Sequence, residues 1–339
     1  RTAVVTGANG YLGSELVKSL VQCGCKVIRV GRKDMPPLAN TTSIKGDIQK
    51  PEIWSEIVSK APIVYHLAGN TSFYETNEEP SENLLSTVLP VIRFIKAAEK
   101  SKHKPRMVFA STATVYGLTE NLPVSESTQS FPATTYDLHK LFAEQQLNLA
   151  TTQGIIESVS LRLANVYGTS SSVSHSIDRG ILNKIIYLAS QGKDLNVYGD
   201  GNYLRDYVHI KDVIAAFIIA STIPQISGYV FNVAYGSGAE LRDVFTLVAD
   251  QASKLIGKKI AINNVAWPAG TPEIEYRNFV ADIENFKKAS SWRPSITLED
   301  GIKRTFLKTD LCCRLTLINH CGRMVPKRLL GAEPSFDGN

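Results

Sequence analysis

The sequence predicts an α/β protein built on a doubly wound parallel sheet, with a smaller, discontinuous C-terminal lobe. Three observations carry this reading. Short apolar runs alternate with stretches of helical period, a glycine-rich turn follows the first of those runs, and the texture changes after about residue 168. A chain of 339 residues suffices for one large domain or for two unequal lobes around a cleft. With 43% apolar and 20% charged residues it has ample material for a core, which excludes a disordered class. The net charge of +5 is spread along the chain, so no nucleic-acid partner is expected.

Thr2–Thr6 reads as the first strand, Gly7–Gly13 as the turn, and Leu12–Val21 as the helix after it. Lys26–Val30 follows as a second strand at the distance a βαβ unit requires. A helix over 51–60 and a strand over Ile63–Leu67 come next, and Met107–Ala110 and Ser158–Leu163 continue the alternation. Beyond a Ser-rich loop at 169–176, helices are expected near 177–191 and 210–222, and Gly228–Val233 reads as a strand returning to the main sheet. The expected division is residues 1–168 plus 206–234 for a dinucleotide-binding unit, 169–205 and 235–310 for a substrate lobe, and 311–339 for an irregular tail. The five cysteines (Cys23, Cys25, Cys312, Cys313, Cys321) are odd in number and fit no zinc spacing. A reduced, cytoplasmic setting without a metal site is therefore expected. No apolar run is long enough to span a bilayer, so no membrane partner is expected. Arg1 directly precedes the first strand, which leaves room for a missing native N-terminus.

The turn between strand and helix has a physical logic. One glycine permits the bend, a second lets a pyrophosphate approach the backbone, and a third allows close helix packing, while the helix N-terminus offers N–H donors. Gly7, Gly10 and Gly13, with Tyr11 and Leu12 between them, have one residue more in the first gap than the pattern of dehydrogenases with separate catalytic domains. This resembles the extended branch of the short-chain dehydrogenase/reductase superfamily, the sugar-nucleotide epimerases, dehydratases and reductases on a Rossmann sheet. The resemblance implies that Asp47, in Gly46-Asp-Ile48, bonds the adenine, and that Leu67-Ala68 forms the turn under the cofactor. At the end of the second strand a carboxylate for the ribose 2′-OH is missing. Gly31-Arg32-Lys33 stands there instead, and a guanidinium suits a 2′-phosphate, so the cofactor is NAD or NADP with a lean to NADP. Asp34 nearby keeps NAD open.

Tyr136 and Lys140 lie one helical turn apart, a spacing that also occurs by chance. Context decides between the two readings. Thr112 follows a strand in Ser111-Thr-Ala-Thr-Val-Tyr-Gly117, and Tyr136-Asp-Leu-His-Lys140 opens a helix beyond it, the order of the branch's catalytic residues. A phenol near its ordinary pKa of ~10 is a poor base, and a lysine one turn on would favour the phenolate. Thr112 would bond the same substrate oxygen. Lys140 would also touch the cofactor. His66 is expected to pack and His139 to face another way.

Leu161-Arg-Leu-Ala-Asn165-Val-Tyr-Gly168 and Tyr198-Gly-Asp-Gly201 through Arg205 to Asp212 resemble the branch's nucleotide-sugar segments, and Ser291-Trp-Arg-Pro294 its closing segment. They imply Asn165, Arg205 and Arg277 as substrate contacts. Branch members that remove water carry Asp-Glu after the Ser/Thr, whereas Ala113-Thr114 stands here, which argues against a dehydratase and a decarboxylase. Two enzyme readings are left: a nucleotide-sugar 4-epimerase working through a 4-keto sugar, and an NADPH-dependent 4-ketoreductase. The longer motif agreement favours the first. A non-catalytic dinucleotide sensor or scaffold predicts a lost Tyr or Lys and ranks behind both. The resemblance further implies a homodimer through the helix bearing Tyr136 and the one near 82–99. Specificity is expected from the loops at 70–80 and 169–176.

Overall fold

The computed structural model describes residues 1–69, 78–170 and 180–308. Most of both expected specificity loops, the start of the expected helix at 177–191, the tail and three of the five cysteines lie outside these residues. Seven strands form one all-parallel sheet: β1 (Thr2–Thr6), β2 (Lys26–Gly31), β3 (Thr41–Lys45), β4 (Ile63–His66), β5 (Arg106–Thr112), β6 (Glu157–Leu163) and β10 (Val230–Val233). Their order is β10-β6-β5-β4-β1-β2-β3, so the winding reverses between β1 and β4. In such sheets ligands bind outside the carboxyl ends of the strands at that reversal. The register aligns those ends, pairing Thr6 with His66 and His66 with Phe109.

Both faces of the sheet are covered. On one, α1 (Tyr11–Gln22) and α6 (Ile210–Ala220) bury Leu16, Val17, Val213 and Phe217 against Val5, Val108 and Leu161. On the other, α2 (Pro51–Lys60), α3 (Pro80–Ala98) and α4 (Thr135–Thr152) bury Trp54, Ile57, Phe94 and Leu147 against Val4, Val64 and Phe109. Apolar residues at strand positions facing both ways are what a sheet covered twice requires.

A third core lies apart from the main sheet. There α5 (Ile181–Ser190) and α7 (Leu241–Ile256) pack with Leu195 and Val197 of β8 (Leu195–Tyr198), which pairs in parallel with β12 (Ile262–Val265). Within the segment 206–234, α6 and β10 join the main sheet, whereas β9 (Leu204–His209) lies between β7 (Asn165–Tyr167) and β11 (Gly238–Glu240) in a separate three-stranded sheet. Asp206 at its middle is wholly buried and accepts the backbone N–H groups of Tyr235, Gly236 and Ala281. Asp212 in α6 holds the closing segment through Ser295 and the N–H of Ile296. Among the described residues no helix is long and apolar enough to cross a membrane.

Candidate functional site

A cleft of about 910 Å³ opens at the winding reversal, within the size of a cofactor site. The glycine turn forms its floor, and its three glycines have different reasons. Gly7 has φ +67°, and a Cβ there would lie 2.8 Å from the Ala68 nitrogen; a Cβ on Gly13 would lie 2.1 Å from the Gly7 carbonyl oxygen. Packing alone therefore demands both. Gly10 has ordinary extended backbone, and its Cβ would meet only the Gly7 oxygen, at 3.1 Å. Its bare Cα lines the cleft, as it must if a pyrophosphate is to approach. No side chain caps the α1 N-terminus, so its N–H groups are available to an anion. The residues present thus fit a dinucleotide.

Leu12, Leu67, Ala68, Asp47, Ile48 and Arg32 all line this cleft, and Gly31 and Lys33 flank Arg32. Asp34 does not line it: its carboxylate pairs with Lys45 at 2.8 Å on the surface. Tyr11 lines the cleft as well. Its phenol turns away from the turn, donating to the Gly168 carbonyl (2.7 Å) and accepting from Asn183 (3.3 Å), while Asn183 also accepts the Gly168 N–H (2.9 Å). The side chain ties the turn to Gly168 and to Asn183 of α5.

Thr112 ends β5, and Tyr136 and Lys140 stand on the first turns of α4, which Thr134 caps by accepting the Asp137 N–H. Lys140 Nζ lies 5.8 Å from the centre of the Tyr136 ring and 4.7 Å from that of Phe109, and it donates to the Ala110 carbonyl at 2.7 Å. Burial pushes this lysine down to about 8, with Glu144 pulling the other way. Glu144, one turn further on, is itself buried, and it accepts from Ser111 and from Arg162 in a two-pronged pair (Nη2–Oε2 2.7 Å, Nε–Oε1 3.1 Å). His66 is fully buried between Trp54 and Phe109, with Nδ1 2.7 Å from Thr6 Oγ1. Burial first, then the Lys140 charge, pushes it down to about 3, so it stays neutral and packs.

Asn83, Ser86 and Asp137 escape a reading of sequence alone. Asn83 and Ser86 of α3 line the cleft, and His139 faces α3, its Nδ1 2.7 Å from Asn83 Oδ1. Asp137 lies buried behind Thr114 and Thr134. Burial raises its carboxyl, against the two hydroxyls and Arg277. Their neighbours are largely polar (Ser81 and Glu82 before Asn83, Thr134, Thr135 and His139 around Asp137), so no local pattern marks these positions.

A recess of about 120 Å³ is lined by Thr112, Thr114, Asn165 and Arg277. Asn165 donates to the Asp206 carbonyl (3.0 Å), and Arg277 to that of Ile274 (2.8 Å). Arg205 requires a correction. It is buried, and its guanidinium donates to the carbonyls of Leu204 (3.1 Å), Glu275 (2.7 Å) and Arg277. Those carbonyls take three of its five N–H donors, so in this arrangement Arg205 supports the loop that carries Arg277.

The sequence model of the NAD dependent epimerase/dehydratase family matches residues 3–234, from β1 through β10. The chain belongs to that family. Curated members similar to it include the UDP-glucose 4-epimerase of Azospirillum brasilense, 26% identical over 327 residues that cover 91% of each chain. Another is the dTDP-4-dehydro-6-deoxyglucose reductase of Escherichia coli, 24% identical and covering 91% of this chain and 97% of that one. Among solved structures, the UDP-glucose 4-epimerase of Thermotoga maritima, in complex with UDP-glucose, superposes with a TM-score of 0.80 at 25% identity. That match covers 94% of this chain and 100% of the other. The family's fold and the cleft thus coincide in one chain.

Proposed function

We propose that the protein is a nucleotide-sugar 4-epimerase that uses Thr112, Tyr136 and Lys140, with its dinucleotide on the Gly7–Gly13 turn and its substrate against Asn165 and Arg277. The observation that carries the reading is the buried Lys140 ammonium beside the Tyr136 ring at the carboxyl edge of the sheet. A nicotinamide dinucleotide in the cleft would supply the carbon that accepts hydride from sugar C4 and gives it back. Tyr136 takes the proton of the C4 hydroxyl as the ketone forms and returns it on reduction. Lys140 favours the phenolate electrostatically, and Arg277 offers a cation to the diphosphate. The two lobes proposed here, a dinucleotide-binding sheet and a substrate lobe, meet along this path.

One observation favours the second reading, an NADPH-dependent 4-ketoreductase: Arg32 lines the cleft and no carboxylate from the end of β2 does. The test is to denature purified protein, identify the dinucleotide it releases, and incubate the native protein with UDP-glucose. Retained NAD and equilibration with UDP-galactose support the epimerase. An empty protein that binds NADPH over NADH and only consumes it, with a 4-keto sugar, sinks that reading. Gly10→Ala, whose backbone suits alanine, should fold to within about 1 kcal/mol of the parent and carry no dinucleotide.

We further propose a homodimer. Leu138, Phe142 and Leu149 of α4 are exposed at helical spacing, and Leu84 and Ile92 of the adjoining α3 are exposed as well. Apolar side chains in such a stripe mark an interaction face. Sedimentation should give twice the chain mass, and Leu138→Glu with Phe142→Glu should give single chains; a single-chain parent would refute the dimer.

A further inference from the structure

The Lys140 ammonium sits where few polar atoms support it. It is 4% exposed and has three hydrogens to give, yet among the described residues it makes one hydrogen bond, to the Ala110 carbonyl at 2.7 Å. A charge buried with a single acceptor costs free energy unless a further partner offsets it. The ring of Phe109 is such a partner: its centre is 4.7 Å from Nζ, inside the ~6 Å over which an aromatic face attracts a cation.

β5 supplies both partners, because Phe109 and Ala110 are consecutive and offer a ring and a carbonyl to one cation. Phe109 is wholly buried in the core beneath α2, α3 and α4, so packing holds its ring in place. His66 stacks on the same ring at 5.8 Å and stays neutral, so no second cation competes for it. The other ionisable groups around the ammonium are Glu144 and Tyr136 on its own helix, Arg162 of β6 paired with Glu144, and Glu79 and Glu82 at the α3 start on the neighbouring cleft. An aliphatic residue of similar volume would fill the core nearly as well. It would offer the ammonium no negative face.

We infer that Phe109 is a positioning residue whose ring face holds the Lys140 ammonium beside Tyr136 and keeps it protonated. Its bearing on catalysis rests on the proposed function, in which that cation supports the Tyr136 phenolate. Burial works against the charge and Glu144 works for it. Phe109 adds to Glu144 without bringing a charge of its own, and it lies closer to the ammonium than the Tyr136 ring does, at 4.7 against 5.8 Å.

The experiment replaces Phe109 by 4-fluoro-, 3,5-difluoro- and 3,4,5-trifluorophenylalanine through an expanded genetic code. Fluorine drains negative charge from the ring face with little change of shape, so the series grades the attraction and spares the packing. One readout is the titration midpoint of Lys140 by NMR, in protein carrying carbon-13 at lysine Cε, with the signal identified by its loss in Lys140→Met. The other is the alkaline limb of UDP-glucose turnover. Both should move down stepwise with each fluorine, by about one pH unit in all, and Phe109→Leu should move them at least as far. A purely structural role would lower the urea midpoint of Phe109→Leu and leave both pH readouts in place. A Lys140 midpoint unmoved by the fluorinated residues overturns the inference while the proposed function stands. A dinucleotide-loaded parent that equilibrates no nucleotide sugar overturns the proposed function, and the NMR midpoint then decides by itself whether Phe109 holds the cation.

Discussion

Replacing Tyr136 by Phe should lower turnover by about 10²- to 10⁴-fold, the range for loss of a positioned acid–base group, while fold and bound dinucleotide persist. The ring and its packing stay, and only the oxygen that carries the proton goes. A variant that kept more than a tenth of parental turnover would remove Tyr136 from the proposed role. The pH profile adds a second readout. Lys140, pushed down to about 8, gives up its charge above that pH, so support for the phenolate and with it turnover should decline on the alkaline side. Stability should move the other way. Between the folded value near 8 and the ordinary value of ~10.4 only the unfolded chain holds the proton, so raising the pH across this window favours the folded state.

Glu144→Ala should be the most damaging single truncation near the site, at about 3–5 kcal/mol. It would strand Arg162, 6% exposed and 4.7 Å over the Tyr116 ring, without the carboxylate that binds it by two prongs. A urea midpoint that falls by less than the equivalent of ~1 kcal/mol would show that water reaches the guanidinium. Because the Glu144 charge also raises Lys140, any protein that does fold should lose activity at lower pH than the parent.

The main sheet was largely legible because its strands are apolar runs and its first turn is punctuated by glycine. β3 was not: in Thr41-Thr-Ser-Ile-Lys45 only Ile44 is buried, as suits an edge strand. β9 hides for a different reason. Arg205 and Asp206 are buried within it, and the groups that satisfy them come from around residues 235, 275 and 281, which no local pattern announces. α7 does carry its signal, with Val244, Phe245, Val248, Ala249 and Ala252 on one face. At the site, the glycine turn and the Thr112, Tyr136 and Lys140 set are local motifs and could be read. Asn83, Asp137 and Glu144 act through partners 56, 23 and 18 residues away, so their roles emerge only from the fold.

The position of β10 has a consequence for the order in which the molecule can be made. Six strands of the main sheet precede residue 164, yet the strand that covers β6 arrives only at Val230, after the chain has passed through α5, β8 and β9. On the ribosome, an unfinished chain of that length would present the β6 edge uncovered, a template for pairing with other chains. The first 200 residues are therefore a poor fragment to express alone. Cutting the protein at the textural boundary near residue 168 should yield aggregation rather than an isolated cofactor-binding unit.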